Sequence, residues 1–246
     1  MYRKENNFKA MISELKDFFS RQFGDDHFTI IYGSNAYKTN TSSSDLDFVT
    51  ACKHFHDSHL QEVLKFAFDL YERYGLMIDD EVPHEKKILI SYETVNRAIN
   101  GHGFERKVDS IHVPPVVKTP GFLSSDEIVM RLSLNALTGK SVFVSGNRQY
   151  YLKMRRKALE NLVKFNFLIN NVNSFTVAEF TDSLIGTPER NSEMYLGYKD
   201  NPKVKKHLSK TFLTQFERLS KRQILKYTEK TGRYCLVDKK WLKEVS

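Results

Sequence analysis

Long apolar runs are missing from this sequence. No stretch approaches the roughly 18 consecutive apolar residues of a membrane span, which excludes a helical membrane protein. The N-terminal MYRKENNF opens into a helix without the apolar core of a signal peptide, so the chain is expected to be soluble and cytoplasmic. Cysteine is scarce: Cys52 and Cys235 lie too far apart in sequence to build a dense disulfide framework, which suits a reducing compartment. Internal repeats and low-complexity segments are absent too. What is left is a folded chain of 246 residues, long enough for one large domain or for a core domain carrying one or two smaller modules.

Charge is present but unevenly placed. The net +8 gathers at the C-terminus, where residues 199–246 hold 14 Lys+Arg against 5 Asp+Glu, a local +9 that leaves the first 198 residues at −1. A basic end on a nearly neutral body suggests an anionic partner, nucleic acid first. The plainer alternative is a solvated basic surface that keeps the protein dispersed.

Apolar spacing predicts a mixed α/β (α+β) protein. Phe8, Met11, Ile12, Leu15, Phe18 and Phe19 recur at helical intervals over 8–22. HFTIIYG, from His27 to Gly33, reads as a buried strand ending at glycine, and DLDFVTA, from Asp45 to Ala51, as a half-buried strand; the intervening NAYKTNTSSS reads as a polar loop. A capping box of Ser58 with Gln61 opens a helix that Gly75 stops. Strands are expected near 76–81 and 87–92, and a turn-rich segment over 103–120 marks the first boundary. Helices follow from Ser124 to about Leu137 and from about Arg148 to Ile169. In the last section Thr176 and Glu179 cap a short helix, and Val204, Leu208, Phe212, Phe216 and Leu219 stripe a longer one. A strand pair, 224–227 and 234–237, then flanks the turn KTGR. The resulting partition is a core at 1–118, a helical section at 119–172 and a basic module at 173–246 that resembles a winged helix.

Chemistry concentrates at Gly33 to Asp47. Residues two apart on a strand point to one face, so Asp45 and Asp47 converge while Leu46 and Phe48 enter the core. A Gly33-Ser34 turn lets backbone amides approach a phosphate without a side-chain clash, and the Ser34 hydroxyl adds a donor. Converging carboxylates beside such a turn suit nucleotidyl transfer, which uses one divalent ion to activate a hydroxyl and another to hold the triphosphate.

These motifs resemble the nucleotidyltransferase superfamily of DNA polymerase beta, whose signature is an apolar residue, Gly-Ser, a loop, and Asp-x-Asp between apolar residues. Tyr32-Gly33-Ser34 and Asp45-Leu46-Asp47-Phe48 match it, and Ala36 with Ser44-Asp45 matches the small bacterial branch. Tyr37 and Lys38 depart from the arginine and glycine usual there, with Lys38 retaining a cation. The resemblance covers about a third of the chain. It implies transfer of a nucleoside monophosphate, AMP from ATP, to an acceptor hydroxyl with release of pyrophosphate. It also implies two Mg2+ ions (or Mn2+) held by Asp45, Asp47 and a third carboxylate, and nucleotide contacts at Gly33, Ser34, Lys38 and Ser44. Asp79, Asp80 and Glu81 are the choices for the third carboxylate. Leu76, Ile78 and Val82 share the core face with Asp80, which favours Asp79, with Glu81 second.

Other motifs carry less. Cys52, His54, His56 and His59 form a Cys/His group with poor zinc spacing, better read as a loop with helix-capping residues. Thr138-Gly139-Lys140-Ser141 ends like a P-loop, but Leu134 stands where that motif needs glycine. Lys140 and Ser141 then read as an interhelix turn or as a contact to the triphosphate. Lys153, Arg155, Arg156 and Lys157 form either a cleft lining or a solvated helix face. The acceptor is a small molecule, a protein side chain or an RNA end. The competing class is a nucleic-acid-binding regulator that reads with a helix at about 203–222, carrying Lys203, Lys205, Lys206, Lys210, Arg218, Lys221 and Arg222, on an inactive nucleotidyltransferase scaffold.

Overall fold

The runs HFTII and FVTAC form two strands, β1 (His27–Ile31) and β2 (Phe48–Cys52), and both are buried at every position in the computed structural model. The structure describes residues 2–41, 44–76, 87–104, 125–185 and 194–243. It is mixed α/β, and its contacts divide the chain into two units: Met1–Asn96 with Lys140–Arg155, and Arg97–Gly139 with Arg156–Ser246.

In the first unit β1 is flanked by antiparallel partners, β2 on one side and β4 (Val142–Gly146) on the other, and β3 (Leu89–Ser91) pairs parallel to β2. The order is β3-β2-β1-β4, a mixed sheet. Because β1 and β2 are inner strands covered on both faces, they read as continuous runs rather than alternating ones. Thr29 and Thr50 stand directly opposite each other, and their hydroxyls bond at 2.8 Å, so neither polar group is buried unpaired.

One face of this sheet is covered by α1 (Tyr2–Phe23) and α3 (Asp57–Tyr74), with α2 (Gly33–Tyr37) between β1 and β2. Met11, Leu15 and Phe19, four apart, pack with Val63, Ala67, Leu70 and Tyr71 against Ile31, Leu46 and Phe48. Leu15 and Phe19 lose all their exposure, each burial contributing about 2–3 kcal/mol. Phe28 points the other way, as alternation requires, and meets Tyr92, Tyr150 and Tyr151. These rings come from α4 (Tyr92–Ile99) and the start of α6 (Arg148–Ile169).

The second unit holds α5 (Ser125–Thr138) and a three-stranded sheet of order β5-β7-β6. Its strands are β5 (Ser174–Phe175), β6 (Leu225–Thr228) and β7 (Arg233–Leu236), and its helices α7 (Val177–Leu184) and α8 (Pro202–Lys221). Phe175, Phe180, Phe212, Phe216 and Tyr234 form its aromatic core. Polar groups on α5 hold two other parts of the unit: Arg131 donates to the carbonyls of Gly103, in a 3-10 turn, and Tyr195, and Asn135 to that of Leu196, all at 2.9 Å.

Several expectations change. Between the helices expected to end at about Leu137 and to begin at about Arg148, residues 142–146 form a strand of the first sheet. NAYKTNTSSS opens as α2 rather than as a loop. The ladder of β2 begins at Phe48 rather than at Asp45. The start of α3 is fastened one turn's edge earlier than Ser58 and Gln61, with the His56 amide donating to His59 Nδ1 at 3.1 Å. Arg148–Ile169 has the expected bounds, and Thr176 with Glu179 forms the expected reciprocal cap, at 3.1 and 2.8 Å. Residues 77–81 of the expected strand near 76–81, and the segment 105–124, lie outside the described residues.

Candidate active site

The site begins where β1 stops. Tyr32 donates its amide to the Asp47 carbonyl at 2.9 Å, which carries the β1–β2 pairing one residue beyond the strands. Gly33 then turns the chain at φ +64, a conformation that favours glycine. A second constraint falls on the same residue: a Cβ there would overlap the Asp47 carboxylate. Gly33 is thus the residue that lets the turn and the carboxylate occupy adjoining space.

From this turn α2 runs for five residues, with Ala36 and Tyr37 buried. The Tyr37 hydroxyl accepts the Lys140 amide at 3.0 Å, and burial pushes its pKa up to about 12, against smaller opposing effects of that amide and of Arg155. Tyr37 therefore anchors the end of α2. The Ser34 hydroxyl is buried and has no hydrogen-bond partner among the described residues.

Asp45 and Asp47 lie in the extended stretch just before β2. Leu46 and Phe48 are buried in the core while both aspartates are half-exposed, the sidedness that the i, i+2 spacing requires. Their backbone is held on several sides. Asn35 Nδ2 donates to the Asp45 carbonyl at 2.7 Å, and the Tyr71 hydroxyl donates to the Leu46 carbonyl at 3.2 Å. Asp45 and Asp47, with Leu46 and Phe48, line a small pocket whose other walls are Tyr32, Tyr71, Lys87 and Ile88.

Tyr71 and Lys87 were not identified as site residues from the sequence. Tyr71 is legible only as part of the apolar stripe of α3, since its hydroxyl gives no periodic signal. Lys87 precedes the apolar run ILIS and has no spacing relation to Asp45.

The remaining expected residues fall differently. Ser44 closes the loop before Asp45, its hydroxyl accepting the Thr41 amide at 2.8 Å. Lys38 caps the far end of α2 from Gly33, in the left-handed conformation at φ 56. Asp79, Asp80 and Glu81 lie outside the described residues. Ser141 bonds the Tyr151 hydroxyl at 2.7 Å, at the entry to β4. Cys52 is fully buried in β2, and burial raises its thiol pKa to about 12, which opposes a zinc thiolate.

Among the described residues no group of three or more His, Cys, Asp or Glu side chains is placed to hold a metal ion. Two hard carboxylates on one open side, with a third choice outside the described residues, fit the oxygen-rich, partly hydrated coordination that Mg2+ takes. No helix among the described residues is long and apolar enough to cross a membrane. In comparisons with protein-family models, curated proteins and solved structures, none matches the chain.

Proposed function

We propose that this chain is a cytoplasmic nucleotidyltransferase that moves AMP from ATP to an acceptor hydroxyl and releases pyrophosphate. The observation that carries the reading is the contact of the Asp47 carboxylate with Gly33, beside Asp45 on the same open side. It joins the two halves of the motif, eleven residues of sequence apart at their nearest, in one place.

In this reading Gly33 and Ser34 receive the triphosphate, where the unpartnered Ser34 hydroxyl has a donor to give. Asp45 and Asp47 hold Mg2+, with Asp79 as the third ligand; the bound cation supplies charge neutralisation of the triphosphate and a lowered pKa for the attacking hydroxyl. The acceptor oxygen bonds the α-phosphorus, the bond to the bridging oxygen of the β-phosphate breaks, and the electron pair leaves with pyrophosphate. The acceptor proton passes to the third carboxylate. Incubation with each of four α-labelled triphosphates, Mg2+ and a cell extract tests the reading. Label transferred by wild type and lost in Asp45→Ala and Asp47→Ala supports it; no transfer to any acceptor rejects it.

A second reading is a nucleic-acid-binding regulator, favoured by the second unit. Its succession of β5, α7, α8, β6 and β7, with sheet order β5-β7-β6, supports the resemblance to a winged helix. Against it, three of the seven cations expected on the reading helix are committed elsewhere: Lys205 to Asp182 and Asp200, and Arg218 and Arg222 to Glu160. Salt-dependent binding of duplex DNA that survives Asp45→Ala, without nucleotide transfer, would select this reading.

A further inference from the structure

We infer that Asn35 and Tyr71 are positioning residues of the proposed site, holding Asp45 and Asp47 in their cation-binding arrangement before any cation arrives. The inference rests on the nucleotidyltransferase reading above.

Three successive carbonyls carry it. Asp45 O accepts from Asn35 Nδ2 of α2 at 2.7 Å, Leu46 O from the Tyr71 hydroxyl of α3 at 3.2 Å, and Asp47 O from the Tyr32 amide at 2.9 Å. Each bond comes from a different part of the fold. The strand ladders do not supply the first two: pairing of β2 with β1 starts at Phe48, and with β3 at Thr50. Asp45 and Leu46 stand ahead of both, so the ordinary partners of a strand carbonyl are missing and side chains take their place.

The Cα–Cβ direction of each acid follows the backbone of its own residue, so pinning these carbonyls fixes the side from which both acids project. Asn35 has a further consequence, because it directly follows Ser34 and so ties the phosphate-facing turn to the first acid. Tyr71 is buried yet forms a wall of the pocket that the two aspartates line. Partners bonded to metal ligands themselves typically change cation affinity about 10–100-fold when removed, and these carbonyl-bound groups, one step further out, are set at the low end, about 10-fold.

The test uses the full chain and Mn2+ as probe, followed by electron paramagnetic resonance, with melting curves on every sample. Tyr71→Phe deletes one hydroxyl and keeps the ring in the core. Tyr74→Phe is its control on the same helix, where the hydroxyl bonds Glu14 instead. The expected result is Mn2+ affinity weakened about 10-fold in Tyr71→Phe and in Asn35→Ala, unchanged in Tyr74→Phe, and lost in Asp45→Ala. Should Asp45→Ala lose Mn2+ while Tyr71→Phe and Asn35→Ala bind it as wild type does, the positioning role is wrong and the enzyme reading stands. Wild-type protein that binds no Mn2+, or Asp45→Ala that binds it normally, overturns both.

Discussion

The carboxylate of Asp47 occupies the space in which any side chain at residue 33 would begin. Gly33→Ala therefore meets two penalties, a positive φ and a clash with the Asp47 carboxylate. Gly24 has a similar φ, +55, with nothing within 4 Å of its absent Cβ, and separates the two. Gly24→Ala is expected to lose about 1 kcal/mol and keep its activity. Gly33→Ala should lose more stability and about 100-fold in nucleotide transfer, because the acid must move. Urea melts and a pyrophosphate-release assay read the two effects.

Buried tyrosines set an alkaline limit. Burial raises Tyr37 to about 12 from 10, so between these values the unfolded chain loses a proton that the folded chain keeps. Stability from this group is whole below pH 10 and declines as pH rises toward 12. Tyr92, Tyr150 and Tyr234 are raised by burial in the same direction. Melting temperature is expected to fall steadily above pH 10, with a shallower fall in Tyr37→Phe. An equal slope in the variant would remove Tyr37 as a contributor.

His27 sets the acid counterpart. Burial lowers its pKa below 6.5, outweighing the Gly24 backbone and Asp25, which act the other way. The folded protein thus favours neutral imidazole, with Nε2 3.0 Å from the Ser145 hydroxyl. Stability is present in full above pH 6.5 and declines as pH falls toward the folded pKa. His27→Gln should flatten melting temperature between pH 7 and 5, at some loss of stability at pH 7.

Glu160 gathers Arg218, Arg222 and the Trp241 indole, at 2.6, 2.9 and 3.4 Å. Burial alone would raise its carboxyl pKa, but Arg222, Trp241 and Arg218 together bring it below the usual carboxylate value. Its contribution is therefore present above pH 4.5 and declines as pH falls through the lowered pKa. Glu160→Gln is expected to lower stability by about 1–3 kcal/mol and to release two arginines. If the second unit meets nucleic acid, the same variant binds duplex DNA more tightly and with a steeper salt dependence. Unchanged DNA affinity would count against that surface.

The sequence made α1, α3 and α8 legible because each carries an apolar stripe over many turns. The sidedness of Asp45, Leu46, Asp47 and Phe48 was legible for a similar reason, since a period of two leaves one solution when Leu46 and Phe48 must be buried. What failed was short or non-local. Val142–Gly146 becomes a strand because β1 offers a free edge, a partner more than a hundred residues earlier that no local window contains. The helical turn at Gly33–Tyr37 is anchored at its end where Tyr37 accepts the Lys140 amide, again a distant contact. Lys87 and the hydroxyl of Tyr71 enter the site by the same route, through tertiary placement that leaves no spacing signature.

The return of β4 to β1 also orders events during synthesis. Residue 31 leaves the ribosome about 110 residues before residue 142, an interval of roughly 5–20 s at ordinary elongation rates. Throughout it, β1 can pair with β2 but presents its other edge bare, in a nascent chain already busy making the first part of the second unit. The sheet that holds Gly33 and Asp47 thus closes late, and a ribosome stalled between the two strands would hold an apolar edge open to any neighbouring chain.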